Sequence, residues 1–460
     1  MKQKALLFSL LIVSCFVIFF GCGDNNGNVD GEEIKWVRSI GGEDNDFGRS
    51  LIQTADGGYV VAGYTESFGA GDYDLFLVKL SETGWVEWAR TIGGAGAEGI
   101  NIWTPATIVQ TDDGGFAVAG ETESFGAGGY DLFLVKLTAT GWVEWARTIG
   151  GPRGDWGGIV VQTDDGGFAV AGETESFGSG YDDDDFFLVK LSATGWIEWA
   201  RTIGGTHYEW APTVVQTDDG GFAVAGGTGS FGTDGLLFVK LSLSGALEWA
   251  KFIEGACGGD DDITISFVQT SDGGYVLASL IEEGFGNDCD YIILKLSETG
   301  TLEWAKAIAQ DEDDVVLSII QASDGGYVIA GGYYSYGTVE DNLFLGKFSS
   351  TGNIKWAYTL GGTSTELCGG VIQTYDGGYA VSGLTESYTE RGDGSNVIVA
   401  KFDANGHCCI GEELFPIVSD VTSLTAVSVT PTIMDITPTI MNVSPTVTDV
   451  SPTVMNICSD

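Results

Sequence analysis

The residues best suited to chemistry in this 460-residue chain are carboxylates, which crowd into short runs. Oxygen ligands at this density could hold Ca²⁺. No run has the spacing of a known calcium loop, so solvated acidic loops are the alternative interpretation. The candidate calcium ligands are Asp44, Asp46, Asp72, Asp74, Asp182, Asp183, Asp184, Asp185, Asp260, Asp261 and Asp262.

Aromatic residues near these acids form a second candidate site. Phe47, Trp103, Trp156 and Trp210 each lie six or seven residues before a recurring glutamine. Flat rings beside carboxylates suit a glycan, because the rings stack on sugar faces and the acids accept hydrogen bonds from hydroxyls. We therefore predict a glycan or peptide site here, and packing of the rings beneath loops is the alternative.

Catalytic motifs are scarce. The chain has two histidines, His207 and His407, and shows no nucleophile elbow, metal-ligand histidine spacing or phosphate loop. We assign no catalytic residue and no cofactor beyond the candidate Ca²⁺. The sequence favours a binding protein over an enzyme.

The net charge limits the partners. With 65 acidic and 20 basic residues, the formal charge is −45, which repels nucleic acid and anionic lipid. We expect a monomer that binds a protein or a glycan and makes no contact with nucleic acid.

An internal repeat determines the fold class. Three markers each recur seven times at a period of 50 to 57 residues. The glutamines are Gln53, Gln110, Gln162, Gln216, Gln269, Gln321 and Gln373. The turn aspartates are Asp56, Asp113, Asp165, Asp219, Asp272, Asp324 and Asp376. The tryptophans are Trp36, Trp88, Trp145, Trp199, Trp249, Trp304 and Trp356.

Each repeat divides into four strands, A to D. Asp-Gly-Gly predicts the A–B hairpin, Thr-Gly predicts the C–D turn, and strand D carries the tryptophan. A strand D at 34–40 precedes the first repeat, and the seventh repeat lacks one after its strand C at 396–402. Pairing these two segments closes the ring and removes the open edges. Residues 34–406 are therefore predicted to form an all-β, seven-bladed β-propeller with four antiparallel strands per blade.

The unit formed by Leu77 to Gly84 and the following Trp85 to Trp88 resembles bacterial β-propeller repeats of the quinoprotein-like (PQQ-like) kind. The resemblance covers 34–406. It implies the propeller fold, but the family includes enzymes, assembly scaffolds and surface lipoproteins, so it does not specify a function.

The strand order sorts the connections into two faces. The short A–B and C–D turns lie on one face, here called the turn face. The variable, acidic B–C and D–A loops lie on the other, the loop face, where binding is expected. The recurring glutamines are predicted to satisfy backbone groups between blades, with a polar channel lining as the alternative.

The N-terminus has the features of an export segment. Lys2 and Lys4 precede an apolar run from Ala5 to Phe20, which suits a signal peptide. Gly21-Cys22 and the polar linker 23–33 resemble the lipobox of bacterial lipoproteins. The resemblance implies cleavage after residue 21, lipidation of Cys22, and tethering in the cell envelope on the periplasmic or cell-surface side. An uncleaved anchor is the alternative, and Ser14-Cys15 is a weaker second cleavage candidate.

Residues 407–427 are interpreted as a linker and 428–460 as an extended tail. Pro431, Pro438, Pro445 and Pro452 recur every seven residues in the tail and forbid a continuous helix. The tail is a stalk, a glycosylated tract, a docking strand or a disordered segment.

The cysteines suggest one pairing after export. Cys257 and Cys289 both lie on the loop face of blade 5, and we predict a disulfide between them. Cys408 and Cys409 are adjacent and could pair with each other, or with Cys368 or Cys458.

Together these features predict an exported, lipid-anchored propeller that serves as a binding scaffold through its loop face. The alternative is an extracytoplasmic enzyme on the same face, either a quinone-dependent dehydrogenase or a glycan-active hydrolase or lyase.

Overall fold

The tight A–B turn shows why each repeat folds into an antiparallel sheet. In the first repeat the Asp56 carboxylate accepts hydrogen bonds from the Thr54 hydroxyl and from the Gly58 amide, the latter at 3.0 Å. Gly57 supplies the positive φ of 84° that this turn requires. The same turn recurs in every repeat and returns the chain alongside the preceding strand.

The computed structural model describes residues 35–99, 108–178, 184–254, 265–282, 289–309, 315–334, 341–389 and 394–408, together with seven short segments between 412 and 456. Within this part of the chain the regular secondary structure is all β. The described residues accordingly include no helix long and apolar enough to cross a membrane.

Four strands of each blade run outward from the axis in the order A, B, C, D. Strand A is Asp46–Gln53, Glu98–Gly99 with Ile108–Gln110, Asp155–Gln162, Glu209–Gln216, Ser266–Gln269, Val315–Gln321 and Glu366–Gln373 in blades 1 to 7. Strand B is Tyr59–Thr65, Phe116–Thr122, Phe168–Thr174, Phe222–Thr228, Tyr275–Glu282, Tyr327–Tyr334 and Tyr379–Thr385. Strand C is Asp74–Leu80, Asp131–Leu137, Asp185–Leu191, Gly235–Leu241, Cys289–Leu296, Asp341–Phe348 and Asn396–Phe402. Strand D is Val86–Gly93, Val143–Gly150, Ile197–Gly204, Leu247–Glu254, Leu302–Ala309, Ile354–Leu360 and, for blade 7, Trp36–Gly41.

The predicted closure of the ring is confirmed. Trp36–Gly41 pairs antiparallel with Asn396–Phe402, so that Trp36 lies opposite Lys401 and Ile40 lies opposite Val397. The first described strand thus completes the last blade, and seven sheets result.

The hydrophobic core lies between neighbouring blades rather than within one. The strand-D tryptophan of each blade packs on the aromatic residue that begins strand B of the next, with ring centroids 5.5 to 6.2 Å apart. Trp36 of blade 7 lies on Tyr59 of blade 1 at 5.6 Å and so continues the series across the closure. This packing explains why the tryptophan recurs in every repeat.

The glutamines form a closed ring of hydrogen bonds, which confirms the prediction that they satisfy backbone groups between blades. Each side-chain oxygen accepts the amide N–H of an A–B turn in the preceding blade, at 2.8 to 3.2 Å. The pairs are Ala55 with Gln110, Asp112 with Gln162, Asp164 with Gln216, Asp218 with Gln269, Ser271 with Gln321, Ser323 with Gln373 and Tyr375 with Gln53.

The C-terminal segments add a fifth strand to every blade. Each pairs antiparallel with the outer edge of one strand D, and successive segments serve blades 6, 5, 4, 3, 2, 1 and 7. The segments are Glu412–Leu414, Ile417–Asp420, Ala426–Ser428, Thr432–Asp435, Thr439–Asn442, Thr446–Asp449 and Thr453–Asn456. The heptad period of the tail therefore matches the step from one blade to the next, and strands also form within the range interpreted as a linker. The described tail segments thus pair with the propeller itself.

Candidate functional site

The candidate rings Phe47, Trp156 and Trp210 occupy equivalent positions on the loop face. Each is the second residue of a strand A, directly after a buried carboxylate. All three are partly exposed. Strands A of adjacent blades contact one another around the axis, so these rings lie near its loop-face end. Trp103 lies outside the described residues.

The surroundings of the three rings differ. Phe47 stacks on Tyr64 at 4.5 Å, and the buried Arg49 guanidinium lies 5.6 Å from the Phe47 ring. Arg49 also donates a long hydrogen bond of 3.4 Å to the Tyr64 hydroxyl. Burial raises the pKa of Tyr64, and the positive charge of Arg49 opposes that increase. Blade 1 thus presents an ordered aromatic and cationic cluster.

Trp210 is held mainly by packing. Its indole packs against Gly227, since a Cβ at that glycine would be 2.2 Å from the ring. Its ring also borders the hydrophobic core cluster that includes Phe238. For this residue the packing interpretation applies, although the buried Nε1 donor has no hydrogen-bond partner among the described residues.

Two glutamates that the sequence analysis did not select complete the site. The next-to-last common position of strand B is Tyr64 in blade 1, Glu121 in blade 2, Glu173 in blade 3, Gly227 in blade 4 and Leu384 in blade 7. The position faces a strand A at the loop-face end of each sheet. Its variation within otherwise uniform repeats is the feature that could have identified these glutamates, because a functional site breaks the repeat symmetry.

Each glutamate reaches across to the next blade. Glu121 accepts the Gly157 amide at 3.0 Å, and Glu173 accepts the Ala211 amide at 2.6 Å. Burial raises the pKa of Glu121 to about 7, the Gly157 hydrogen bond opposes this, and the nearby Glu123 adds to it. A carboxyl group that exchanges its proton near neutral pH is suited to acid–base chemistry.

The amides that bind these glutamates belong to β-bulges in strand A. The ladder shifts register between Trp156 and Ile159 in blade 3 and between Trp210 and Thr213 in blade 4. Ala211 has φ of 50° and is the only non-glycine with positive φ among the described residues. A left-handed alanine is strained, and bulges and strain of this kind occur next to functional sites.

Several of the calcium candidates have structural roles. Asp46 is fully buried and accepts hydrogen bonds from the Gly42 amide and the Ser67 hydroxyl, and Asp74 accepts the Ala70 amide at 2.7 Å. Asp185 is buried as well.

The remaining calcium candidates form no metal-binding cluster among the described residues. Asp44 and Asp72 are exposed, Asp184 is partly exposed, and Asp182, Asp183, Asp260, Asp261 and Asp262 lie outside the described residues. The described part of the chain contains no group of three or more His, Cys, Asp or Glu residues arranged to hold a metal. The Ca²⁺ site stays a prediction.

The buried acids instead form pairs at the junctions between blades. A Cβ built on Gly150 would lie 2.0 Å from Asp131 Oδ1 and 2.6 Å from Asp155 Oδ2, so the two carboxyl groups lie side by side. The same arrangement joins Asp185 to Glu209 around Gly204 and Asp74 to Glu98 around Gly93. At the junction of blades 7 and 1, Asn396 replaces the strand-C aspartate beside Asp46, and Asn342 takes this strand-C position in blade 6.

The environment of these pairs favours the neutral form of one partner. Burial raises the pKa of Asp155 to about 7, hydrogen bonds from Thr174, Gly151 and Ser176 oppose this, and Asp131 adds to it. Burial also raises the pKa of Glu209 to about 8, with Asp185 contributing in the same direction.

Among the described cysteines, Cys368 is a buried free thiol. Burial raises the pKa of Cys368 to about 12, which makes this thiol unreactive. Cys289 begins strand C of blade 5, while Cys257, Cys409 and Cys458 lie outside the described residues. The Cys257–Cys289 disulfide stays a prediction, as does lipidation of Cys22, which also lies outside them.

No protein-family model matches the sequence, and no curated protein matches it. No family match therefore supports the lipoprotein or quinoprotein-like prediction.

Among solved structures, the chain is similar to a PL25 ulvan lyase bound to -[GlcA(1-4)Rha3S]-, with 10% identity, a TM-score of 0.48 and coverage of 79% of this chain and 96% of that one. It is also similar to the polysaccharide lyase Uly1, with 10% identity, a TM-score of 0.48 and coverage of 83% and 94%. The sialidase NanB from Streptococcus pneumoniae matches with 11% identity, a TM-score of 0.41 and coverage of 79% and 69%. These structural neighbours are glycan-active enzymes, and identities this low concern the fold alone.

Proposed function

We propose that the protein is glycan-active and that it binds a sugar chain at the loop-face end of the axis, across blades 1 to 4. The observation that carries the proposal is the break in repeat symmetry at one strand-B position. There Glu121 and Glu173 lie in neighbouring blades, and the amides that they accept directly follow the partly exposed Trp156 and Trp210. Phe47 holds the equivalent strand-A position in blade 1.

The chemistry of these groups suits a glycosidic bond. Aromatic rings provide flat surfaces for sugars, and the carboxylates accept hydrogen bonds from hydroxyls. In a hydrolytic reaction, Glu121 donates its proton to the glycosidic oxygen as the bond to the anomeric carbon breaks. Glu173 takes a proton from the water that adds to that carbon. The pKa of Glu121 near 7 provides the protonated fraction that the first step needs.

Binding without cleavage is the second candidate function. It is favoured by the hydrogen bonds from the Gly157 and Ala211 amides, which fix both glutamates as a scaffold would require. In either case we propose that the protein is exported and held at the envelope by a lipid on Cys22, as the N-terminal sequence predicts.

The test is a polysaccharide panel with the purified chain. Release of reducing ends, or ultraviolet absorbance of an unsaturated product, reports cleavage, and a glycan array reports binding. Glu121→Gln should lower turnover by about 10²-fold or more while leaving binding intact. Glu298→Gln is the control, because Glu298 is exposed on the C–D turn of blade 5, on the opposite face from Glu121. Equal turnover of the two variants would assign catalysis elsewhere, and binding without turnover by the unmodified chain would establish the second candidate.

A further inference from the structure

Three tryptophans on the turn face are exposed although nothing in the fold requires them there. Trp85, Trp142 and Trp196 are 52%, 43% and 49% exposed, and each follows the glycine of a C–D turn in blades 1, 2 and 3. Exposed indoles at equivalent positions of three consecutive blades form a row along the rim, opposite the loop face. From the sequence alone, the short uniform turns of this face predict a structural role.

The other blades show that the turn folds without an indole. In blade 1 the Ser81 amide donates to the Trp85 carbonyl at 2.8 Å, and in blade 4 the Ser242 amide donates to the Ala246 carbonyl at the same distance. Blades 5 and 6 make the same bond with Thr301 and Asn353 in place of the tryptophan. The indoles are therefore additions to a turn that is complete without them.

Each indole is held in a fixed orientation by an arginine from the preceding blade. The guanidinium carbons of Arg38, Arg90 and Arg147 lie 4.8, 4.5 and 4.9 Å from the centroids of Trp85, Trp142 and Trp196. These arginines are themselves anchored to the turn, as Arg147 shows by donating to the Gly195 and Thr194 carbonyls at 3.1 and 2.9 Å.

The anchoring does not depend on the indole. In blade 4, where the tryptophan is replaced by Ala246, Arg201 makes the same two bonds to the Gly245 and Ser244 carbonyls. The arginine is thus part of the turn, and the indole rests on it with about half of its surface in solvent. Such a preorganised ring loses little entropy when a ligand stacks on it.

Polar groups around each indole provide hydrogen-bond partners for sugar hydroxyls. The hydroxyls of Ser81 and Thr83 lie 3.1 Å apart beside Trp85, and equivalent pairs adjoin the other two indoles at the same distance. Glu87, two residues after Trp85, has a side chain that is 48% exposed and is held by an ion pair with Lys79 at 3.2 Å. Glu144 and Glu198 make the equivalent ion pairs beside the other two indoles. Each of these three C–D turns, here called a station, therefore combines an indole ring, two hydroxyls and an ordered carboxylate.

We propose that this row, Trp85, Trp142 and Trp196, is a second binding surface and that its partner is a neutral polysaccharide lying along the rim. Three equivalent stations fit a ligand that itself repeats, and weak contacts at each station add through a linked chain. The net charge of −45 opposes a polyanionic partner. The surface lies on the face opposite the proposed glycan site, and its function does not depend on that site.

The test uses the full chain and a variant in which each indole is replaced by the residue of another blade: Trp85→Ala, Trp142→Thr and Trp196→Asn. The replacements match Ala246, Thr301 and Asn353, so the turns should fold and the melting temperature should stay unchanged. The probes are cellulose, chitin, mannan and β-1,3-glucan, measured by pull-down for insoluble chains and by affinity electrophoresis for soluble ones.

We expect at least one probe to bind, each single substitution to weaken binding about threefold, and the triple variant to weaken it about tenfold or more. Leu243→Ala is the control, because Leu243 is 59% exposed on the same face but outside the row. Equal binding by the triple variant, or binding only to acidic polysaccharides, lipid vesicles or a protein, would overturn the proposal.

Discussion

Replacing the strand-C aspartates at the blade junctions by asparagine should stabilise the propeller at alkaline pH and leave it unchanged at acidic pH. The chain already carries this replacement at Asn396 and Asn342, where the sheets form normally. Asp185→Asn is the most informative single change, because its neighbour Glu209 has a pKa raised to about 8.

The direction in which stability changes with pH follows from the direction of these pKa shifts. A carboxyl group whose pKa is higher in the folded state binds its proton more tightly there than in the unfolded chain. The stability that it contributes is fully present below its ordinary pKa of 4.5 and is lost as the pH rises through about 8. For Asp155 the corresponding limits are 3.8 and about 7.

The size of the effect can be worked from the same groups. Each pKa unit corresponds to about 1.4 kcal/mol, so ionising Glu209 costs the folded state about 5 kcal/mol at high pH. Burial causes most of that cost and Asp185 a part of it, so Asp185→Asn should recover about 1 to 2 kcal/mol. For a unit of this size, 1 kcal/mol corresponds to about 1 to 2 °C in melting temperature.

The assay is differential scanning calorimetry between about pH 4 and pH 8. The increase in melting temperature caused by Asp185→Asn should grow with pH over this range. Combining Asp74→Asn, Asp131→Asn and Asp185→Asn should raise the melting temperature by about 5 °C at the alkaline end. Asn396→Asp is the reverse control and should lower it there, because it places a second carboxyl group beside Asp46. Equal changes in melting temperature at both ends of the range would refute the reasoning, since a pH-independent effect cannot come from a shared proton.

Three further predictions concern the strained backbone at Ala211, the strand that closes the ring, and the C-terminal strands. Ala211→Gly should raise the free energy of unfolding by about 1 kcal/mol, because it relieves a left-handed alanine, whereas Ala225→Gly in an ordinary strand should lower it; denaturant titration measures both. Deleting residues 35–41 should lower the melting temperature far more than deleting a comparable length of tail, and equal values for the two deletions would contradict closure through this strand. Truncating the chain after residue 408 should accelerate amide hydrogen exchange in Val86–Gly93 by about tenfold or more, because the outer edge of that strand loses its partner; unchanged exchange there would argue against the docked tail.

The propeller could be predicted because its determinants are local and repeated. A turn glycine, an interblade tryptophan and a glutamine that accepts a turn amide recur in every blade, and each leaves a marker at a fixed spacing. The orphan strand at the start and the missing one at the end fixed the closure in the same way. Alternation and turn chemistry thus suffice for blade count, strand order and ring closure.

The functional residues were harder to predict because they depend on contacts between blades. Glu121 has a partner 36 positions away in the next blade, and its pKa depends on burial that no sequence pattern reveals. Several acids in the dense runs have structural roles instead: Asp46 and Asp74 accept hydrogen bonds from backbone amides of their own loops. The prolines of the tail predict an extended segment, but they do not show that its strands pair with the outer edges of seven blades far away in the sequence.

The measurement that tests the central claim most directly is glycan binding and turnover by the unmodified chain compared with Glu121→Gln and Trp156→Ala. The account predicts that at least one polysaccharide binds, that Trp156→Ala weakens its binding roughly tenfold, and that Glu121→Gln removes turnover while binding persists. A panel on which the unmodified chain neither binds nor cleaves any glycan, or on which both variants behave as the unmodified chain does, would contradict it.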